Sequence, residues 1–158
     1  MIPNKYQASY ELTVGQCNKC DPKGFVQKGR TFVPCSCYLE YIKIKKLLDS
    51  SIPRAYWGKN INDFKGDKKA KEVIQDYLVN LNANLLRGTG LYLWGTEGIG
   101  KTLLATYILQ EALKKNKDAK FCYYTDMLNI FSASWKDEEA KQVIENDIMD
   151  SDILLIDD

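Results

Sequence analysis

Histidine is absent from the 158 residues. That excludes a histidine general base, a Ser-His-Asp triad and any imidazole metal ligand within the chain. Long apolar runs are missing too. None approaches the roughly 18–20 residues that span a bilayer. The opening Met1-Ile-Pro-Asn-Lys-Tyr6 lacks the apolar core of a secretory signal, so a cytoplasmic location is expected. Net charge is only +1, but it is unevenly spread: residues 1–50 hold eight Lys and Arg against four Asp and Glu, residues 51–158 fourteen against seventeen. A mildly basic front permits contact with nucleic acid, and an ordinary solvated lysine face accounts for it as well. The length suits one domain with a small appendage, and 45% apolar and 27% charged residues are ordinary for a globular chain.

Cysteines are few, five in all, yet four fall close together as Cys17-Asn-Lys-Cys20 and Cys35-Ser-Cys37. Turn-forming Asp21-Pro-Lys-Gly24 and Lys28-Gly-Arg30 separate short β-like pieces at 25–27 and 31–33, which predicts a hairpin between the two pairs. Two turn-borne thiol pairs joined in this way make a Cys₄ zinc site the expected reading, although C-x-C is tighter than the usual C-x₂-C. A disulfide framework does not suit a reducing compartment. A redox C-x-x-C would need a βαβ setting that is missing here, and four unrelated buried cysteines would need more apolar neighbours. Four thiolates around Zn²⁺ leave a local charge of −2, which Lys19, Lys23, Lys28 and Arg30 can offset. With every position filled, such a metal holds a fold together and leaves no site open for catalysis. So small a unit needs its metal to fold.

Residues 38–50 read as a helix that Ser51-Ile-Pro-Arg54 breaks, and the domain boundary is placed there: 1–50 is a zinc module with its linker helix, 51–158 a second domain. The aromatic stretch 52–64 has two open readings, an apolar wall beside a nucleotide base or a linker packed on the core. A helix over 67–86 follows, N-capped by Asp67, with Val73, Ile74, Tyr77, Leu78, Leu81 and Leu85 in one stripe. Leu91–Trp94 reads as a strand and 101–114 as a helix. Residues 119–124 read as a second strand, in which Cys122 is a small buried hydrophobe. Helical stretches begin at Asp126, with Met127, Leu128, Ile130 and Phe131 on an apolar face, and at Asp137. A third strand covers 153–156. Strands alternating with helices predict an α/β fold with a parallel sheet.

The chemistry is written in Gly95-Thr96-Glu97-Gly98-Ile99-Gly100-Lys101-Thr102, which fits G-x-x-x-x-G-K-[ST] between a predicted strand and a predicted helix. Glycines let the backbone wrap so that amide N–H groups converge on phosphate at a helix N-terminus. Lys101 reaches the β- and γ-phosphates of ATP, and the Thr102 hydroxyl can ligate Mg²⁺. Asp157 and Asp158 close the last apolar run, at the strand end where open α/β sheets bind ligands. Asp157 is expected to hold Mg²⁺ opposite Thr102, and Asp158 to orient or deprotonate the attacking water.

The order of these parts, with Ile52-Pro-Arg-Ala-Tyr56, Asn62-Asp-Phe64, the 95–102 loop and Leu154-Leu-Ile-Asp-Asp158, resembles the DnaC/DnaI-type AAA+ helicase loaders and their transposition relative IstB. The resemblance covers essentially the whole chain. It implies Walker A at 95–102, a Walker B magnesium ligand at Asp157, and Asp158 where many AAA+ proteins carry Glu. It further implies ATP-controlled loading of a DnaB-like replicative helicase onto single-stranded DNA, homo-oligomeric assembly and no membrane. The cysteine module argues against an IstB-like helper, and a non-catalytic adaptor is the reading from another class. In strand order 5-1-4-3-2, the fourth and fifth strands, sensor 1, the arginine finger and the lid would follow Asp158. The chain is therefore expected to be the front of a longer protein, with weak nucleotide binding and little turnover by itself.

Overall fold

The junction between Asp49 and Ser50 divides the computed structural model, which describes residues 2–158, into two units. In the first, helix α1 (Asn4–Tyr10) runs into a wide π-type turn (Glu11–Gly15) that leads to the first cysteine pair. The predicted hairpin forms as β1 (Phe25–Lys28) and β2 (Thr31–Pro34), antiparallel, with Phe25 opposite Pro34 and Lys28 opposite Thr31. Helix α2 (Ser36–Asp49) begins earlier than its apolar pattern suggests, so Cys37 lies in its first turn. Among the described residues of this unit, only Val14, Cys35 and Tyr41 are buried apolar side chains. Rings supply much of the remaining packing. Tyr10 and Tyr41 meet edge to face at 5.2 Å, and Phe25 and Tyr38 are also 5.2 Å apart. Asp49 closes α2 by accepting from Lys5 at 2.8 Å, Lys45 at 3.0 Å and the Tyr6 hydroxyl.

The second unit is built around α5 (Lys101–Lys114), the helix that leaves the glycine loop. One side of α5 buries Leu104, Ile108, Leu109, Ala112 and Leu113 against β3 (Ala119–Tyr123), β4 (Ile153–Asp157) and α3 (Lys68–Val79). β3 and β4 pair in parallel, Ala119 opposite Ile153 and Tyr123 opposite Asp157. Their crossover carries α6 (Tyr124–Ser134) and α7 (Glu138–Val143), the helical connection that a parallel pair requires. The stretch 52–64 packs on this core. Ile52 and Phe64 are buried, the Trp57 indole donates to the Ile52 carbonyl at 2.7 Å, and the Ser50 carbonyl accepts from Phe121 N–H at 2.8 Å.

Four expectations need correction. The helix predicted over 67–86 is two, α3 and α4 (Leu81–Leu86), because Asn80 leaves helical geometry and its side-chain amide donates to the Asp76 carbonyl at 3.1 Å. Its stripe buries Ile74, Tyr77, Leu78 and Leu81, whereas Val73 is half exposed. The face expected of α6 is not covered, since Leu128 and Phe131 remain exposed, and Cys122 is only half-buried. Leu91–Trp94 is not a strand. No ladder partner flanks it among the described residues, and unpaired backbone groups stay in water rather than bury. Tyr92 and Trp94 are accordingly 87% and 80% exposed. Among the described residues, no helix is long and apolar enough to cross a membrane.

Candidate functional site

Gly95, Gly98 and Gly100 take φ of 144°, 76° and 95°, the left-handed side that side chains resist. The loop therefore folds back on itself and delivers the chain into α5 at Lys101. Gly100 sits at the N-cap, and no side chain caps that end of the helix. Its first amides point outward with the positive end of the helix dipole, as an anion site requires. Lys101 arches back over the loop, its Nζ donating to the Gly95 carbonyl at 3.0 Å and the Thr96 carbonyl at 3.2 Å. Both acceptors are neutral, so a phosphate oxygen is a stronger partner for the same ammonium. Glu97 and Ile99 are exposed at the crest of the loop.

Thr102 Oγ1 donates to Asp157 Oδ2 at 3.0 Å and lies 3.2 Å from Oδ1. These residues are 55 positions apart. They meet because β4 runs parallel to β3 and ends at the loop, while Thr102 lies in the first turn of α5. A hydroxyl and a carboxylate brought together beside a phosphate loop form the hard-oxygen donor set that suits Mg²⁺. Asp158 follows, exposed, and with Asp157 and Lys101 it lines a cleft of about 560 Å³ bounded by residues 90–95 on one side and β4 on the other.

Two contributors are not visible as motif residues. Gln110 is buried on the apolar side of α5, and its amide accepts from Gly58 N–H at 3.0 Å and donates to the Tyr56 carbonyl at 3.0 Å. The clue to it is that Gln110, like Thr106 one turn before it, is a polar residue on a mostly apolar helix face. Tyr77 donates to the Thr89 carbonyl at 3.0 Å and so holds the turn that leads toward the loop.

In the first unit, Cys17, Cys20, Cys35 and Cys37 bring their sulfurs within 4.8 Å of one another. Cys17 to Cys35 is 3.9 Å and Cys20 to Cys37 is 3.4 Å. Tetrahedral Zn–S bonds of about 2.3 Å separate sulfurs by about 3.8 Å, so the cluster fits a zinc ion. All four are free thiols. The hairpin explains their convergence: Asp21 Oδ1 accepts from Lys23 N–H at 3.0 Å and Phe25 N–H at 2.8 Å, while Cys35 N–H donates to the Gly24 carbonyl at 2.8 Å. The thiols are not equivalent. The Cys37 backbone N–H, then neighbouring thiols, lower Cys35 to about 7. Burial, then the other sulfurs, raises Cys20, and burial raises Cys37. Lys19, Lys23, Lys28 and Arg30 are all exposed.

Residues 65–158 match the family described as the bacterial DnaA ATPase domain. The chain belongs to this family. It therefore carries an AAA+ ATPase domain of the replication-related kind, which binds nucleotide with Mg²⁺, and this covers both the glycine loop and Asp157. The match is to the DnaA ATPase domain rather than to a DnaC-type loader, and it leaves the cysteine unit outside. No curated protein and no solved structure matches the chain.

Proposed function

We propose that this DnaA-family chain is an ATP-dependent helicase loader, in which Mg·ATP at the 95–102 loop controls engagement of a DnaB-like replicative helicase and its transfer to single-stranded DNA. The observation that carries the nucleotide half is the Thr102–Asp157 contact beside the loop. Gly95 to Gly100 and the α5 amides hold the phosphates, Lys101 exchanges its two carbonyl acceptors for phosphate oxygens, and Thr102 and Asp157 hold the magnesium. Mg²⁺ there would neutralise charge developing on the transferring phosphoryl group. Asp158 is the candidate to orient the attacking water. The four-thiol unit, read as a zinc module, supports the loader reading over an IstB-like helper, because it is an additional presentation surface ahead of the ATPase.

The test combines ATP turnover with capture of a hexameric replicative helicase, for the wild type and for Asp158→Asn. Capture that depends on ATP and release that fails in Asp158→Asn support a loader. Capture indifferent to nucleotide and to Asp158 means a non-catalytic adaptor. No capture at all removes the helicase part of the proposal.

A further inference from the structure

We propose that Phe64 is a positioning residue of the phosphate loop, its ring propping Gly100 and thereby the amides that open α5. This deepens the nucleotide reading above and rests on it. Phe64 is 6% exposed and lies 31 residues before the first glycine of the phosphate loop. A Cβ placed on Gly100 would stand 2.8 Å from ring Cδ2 and 2.9 Å from Cε2, so the ring is pressed against the Gly100 backbone. On another side it meets Gly66, where an added Cβ would lie 3.0 Å from Cε1 and nearer still to Cζ. Lys71 Nζ stands 5.8 Å from the ring centroid. The chain entering Phe64 is itself held: Asn60 N–H donates to Asp63 Oδ2 at 2.8 Å, and Asn62 N–H to Asn60 Oδ1 at 2.9 Å.

The ring is thus wedged between two glycines and anchored by a hydrogen-bonded turn. Gly100 needs that support. It is the left-handed residue immediately before the α5 amides, and no side chain caps the helix there to fix them. Without the ring the loop is free to relax, and binding an anion must then reorder it, which weakens affinity. An aromatic that stacks on a base needs an open face, and the burial of Phe64 against Gly66, Gly100 and Lys71 leaves it none. The effect therefore falls on the polyphosphate and not on the base.

The experiment measures binding of Mg·ATP, inorganic tripolyphosphate and adenosine to the wild type, Phe64→Ala, Phe64→Leu, Gly66→Ala and Gly66→Ala/Phe64→Leu. Gly66 lies outside the left-handed region, so alanine suits its backbone and acts by displacing the ring. Phe64→Ala and Gly66→Ala are expected to weaken ATP and tripolyphosphate alike, by about tenfold, with adenosine unchanged. Phe64→Leu should stay within about threefold of the wild type, and the double variant should recover most of the Gly66→Ala loss. Loss of ATP binding with tripolyphosphate unaffected would mean that the ring serves the base, and overturns the proposal. If Phe64→Ala does not fold, unchanged tripolyphosphate binding by Gly66→Ala overturns it equally. A wild type that binds neither ATP nor tripolyphosphate removes the nucleotide reading itself and this inference with it.

Discussion

If the four-thiol unit is the zinc module proposed above, stripping its metal should unfold residues 2–49 and spare the ATPase unit. The magnitudes favour that outcome. Outside the thiol cluster, the buried apolar side chains among the described residues of this unit are Val14 and Tyr41, and at about 1.5–3 kcal/mol each they supply about 3–6 kcal/mol, with half-buried rings adding to that. A structural zinc site contributes about 10–16 kcal/mol near neutral pH. A zinc ion held there would thus be the larger contributor, and without it four thiols would lie within 4.8 Å with nothing to hold them there. The assay is amide exchange on the whole chain, before and after a strong chelator under reducing conditions, alongside zinc stoichiometry. Protection in α2 should fall by at least about a thousandfold, a loss of about 4 kcal/mol, while α5 keeps its own. Cys20→Ser should behave like the chelated protein. Cys122→Ser, in β3 and outside the cluster, should retain one zinc. Acidification should act like the chelator, because only thiolates bind and protons compete for them, at Cys35 below about 7. Zinc retention should therefore drop as pH falls from 7 toward 5. Undiminished exchange protection of α2 after complete metal removal would refute the reasoning.

Asp157→Asn keeps the shape of the residue that faces Thr102 but removes the charge, and should weaken Mg²⁺-dependent ATP binding by about tenfold in a binding titration, with the melting temperature little changed. Leu109→Ala removes a side chain that is 1% exposed at the centre of α5 and should cost about 2–5 kcal/mol by urea denaturation; a loss under 1 kcal/mol would contradict the core described here. For Asp49, burial works against the charge, yet hydrogen bonds from Lys5, Tyr6 and Lys45 outweigh it and hold the carboxyl below its ordinary 3.8. Its contribution is thus complete above that value and is lost as pH falls through the lower folded value. Asp49→Asn should therefore speed α2 amide exchange at pH 7, where zinc retention is highest.

Features that depend on near neighbours in sequence were legible in advance. The glycine loop, α5 with its ends, the Asp67 cap and the cysteine hairpin all follow from turn chemistry, propensity and spacing, and each closes within a few residues of itself. The four-sulfur cluster was legible for a related reason, since a hairpin brings its two flanks together. The break at Asn80 was not, because an exposed asparagine shows only in the folded chain whether its amide bonds water or its own backbone.

Leu91–Trp94 shows the limit most plainly. Its residues suit a strand, but a strand exists only with a partner, and partnership is a property of the sheet. The exposed face of α6 follows the same rule: amphipathic spacing says that a face can be buried, and only a neighbour buries it. By itself, then, the sequence determined which backbone can wrap a phosphate and which four thiols can share a metal. The tertiary structure decided that Asp157 reaches Thr102, that Gln110 ties the 56–58 turn to α5, and that Phe64 stands against Gly100. Those contacts join residues far apart in the chain, and the packing of α5 on the parallel β3–β4 pair is what brings their elements together.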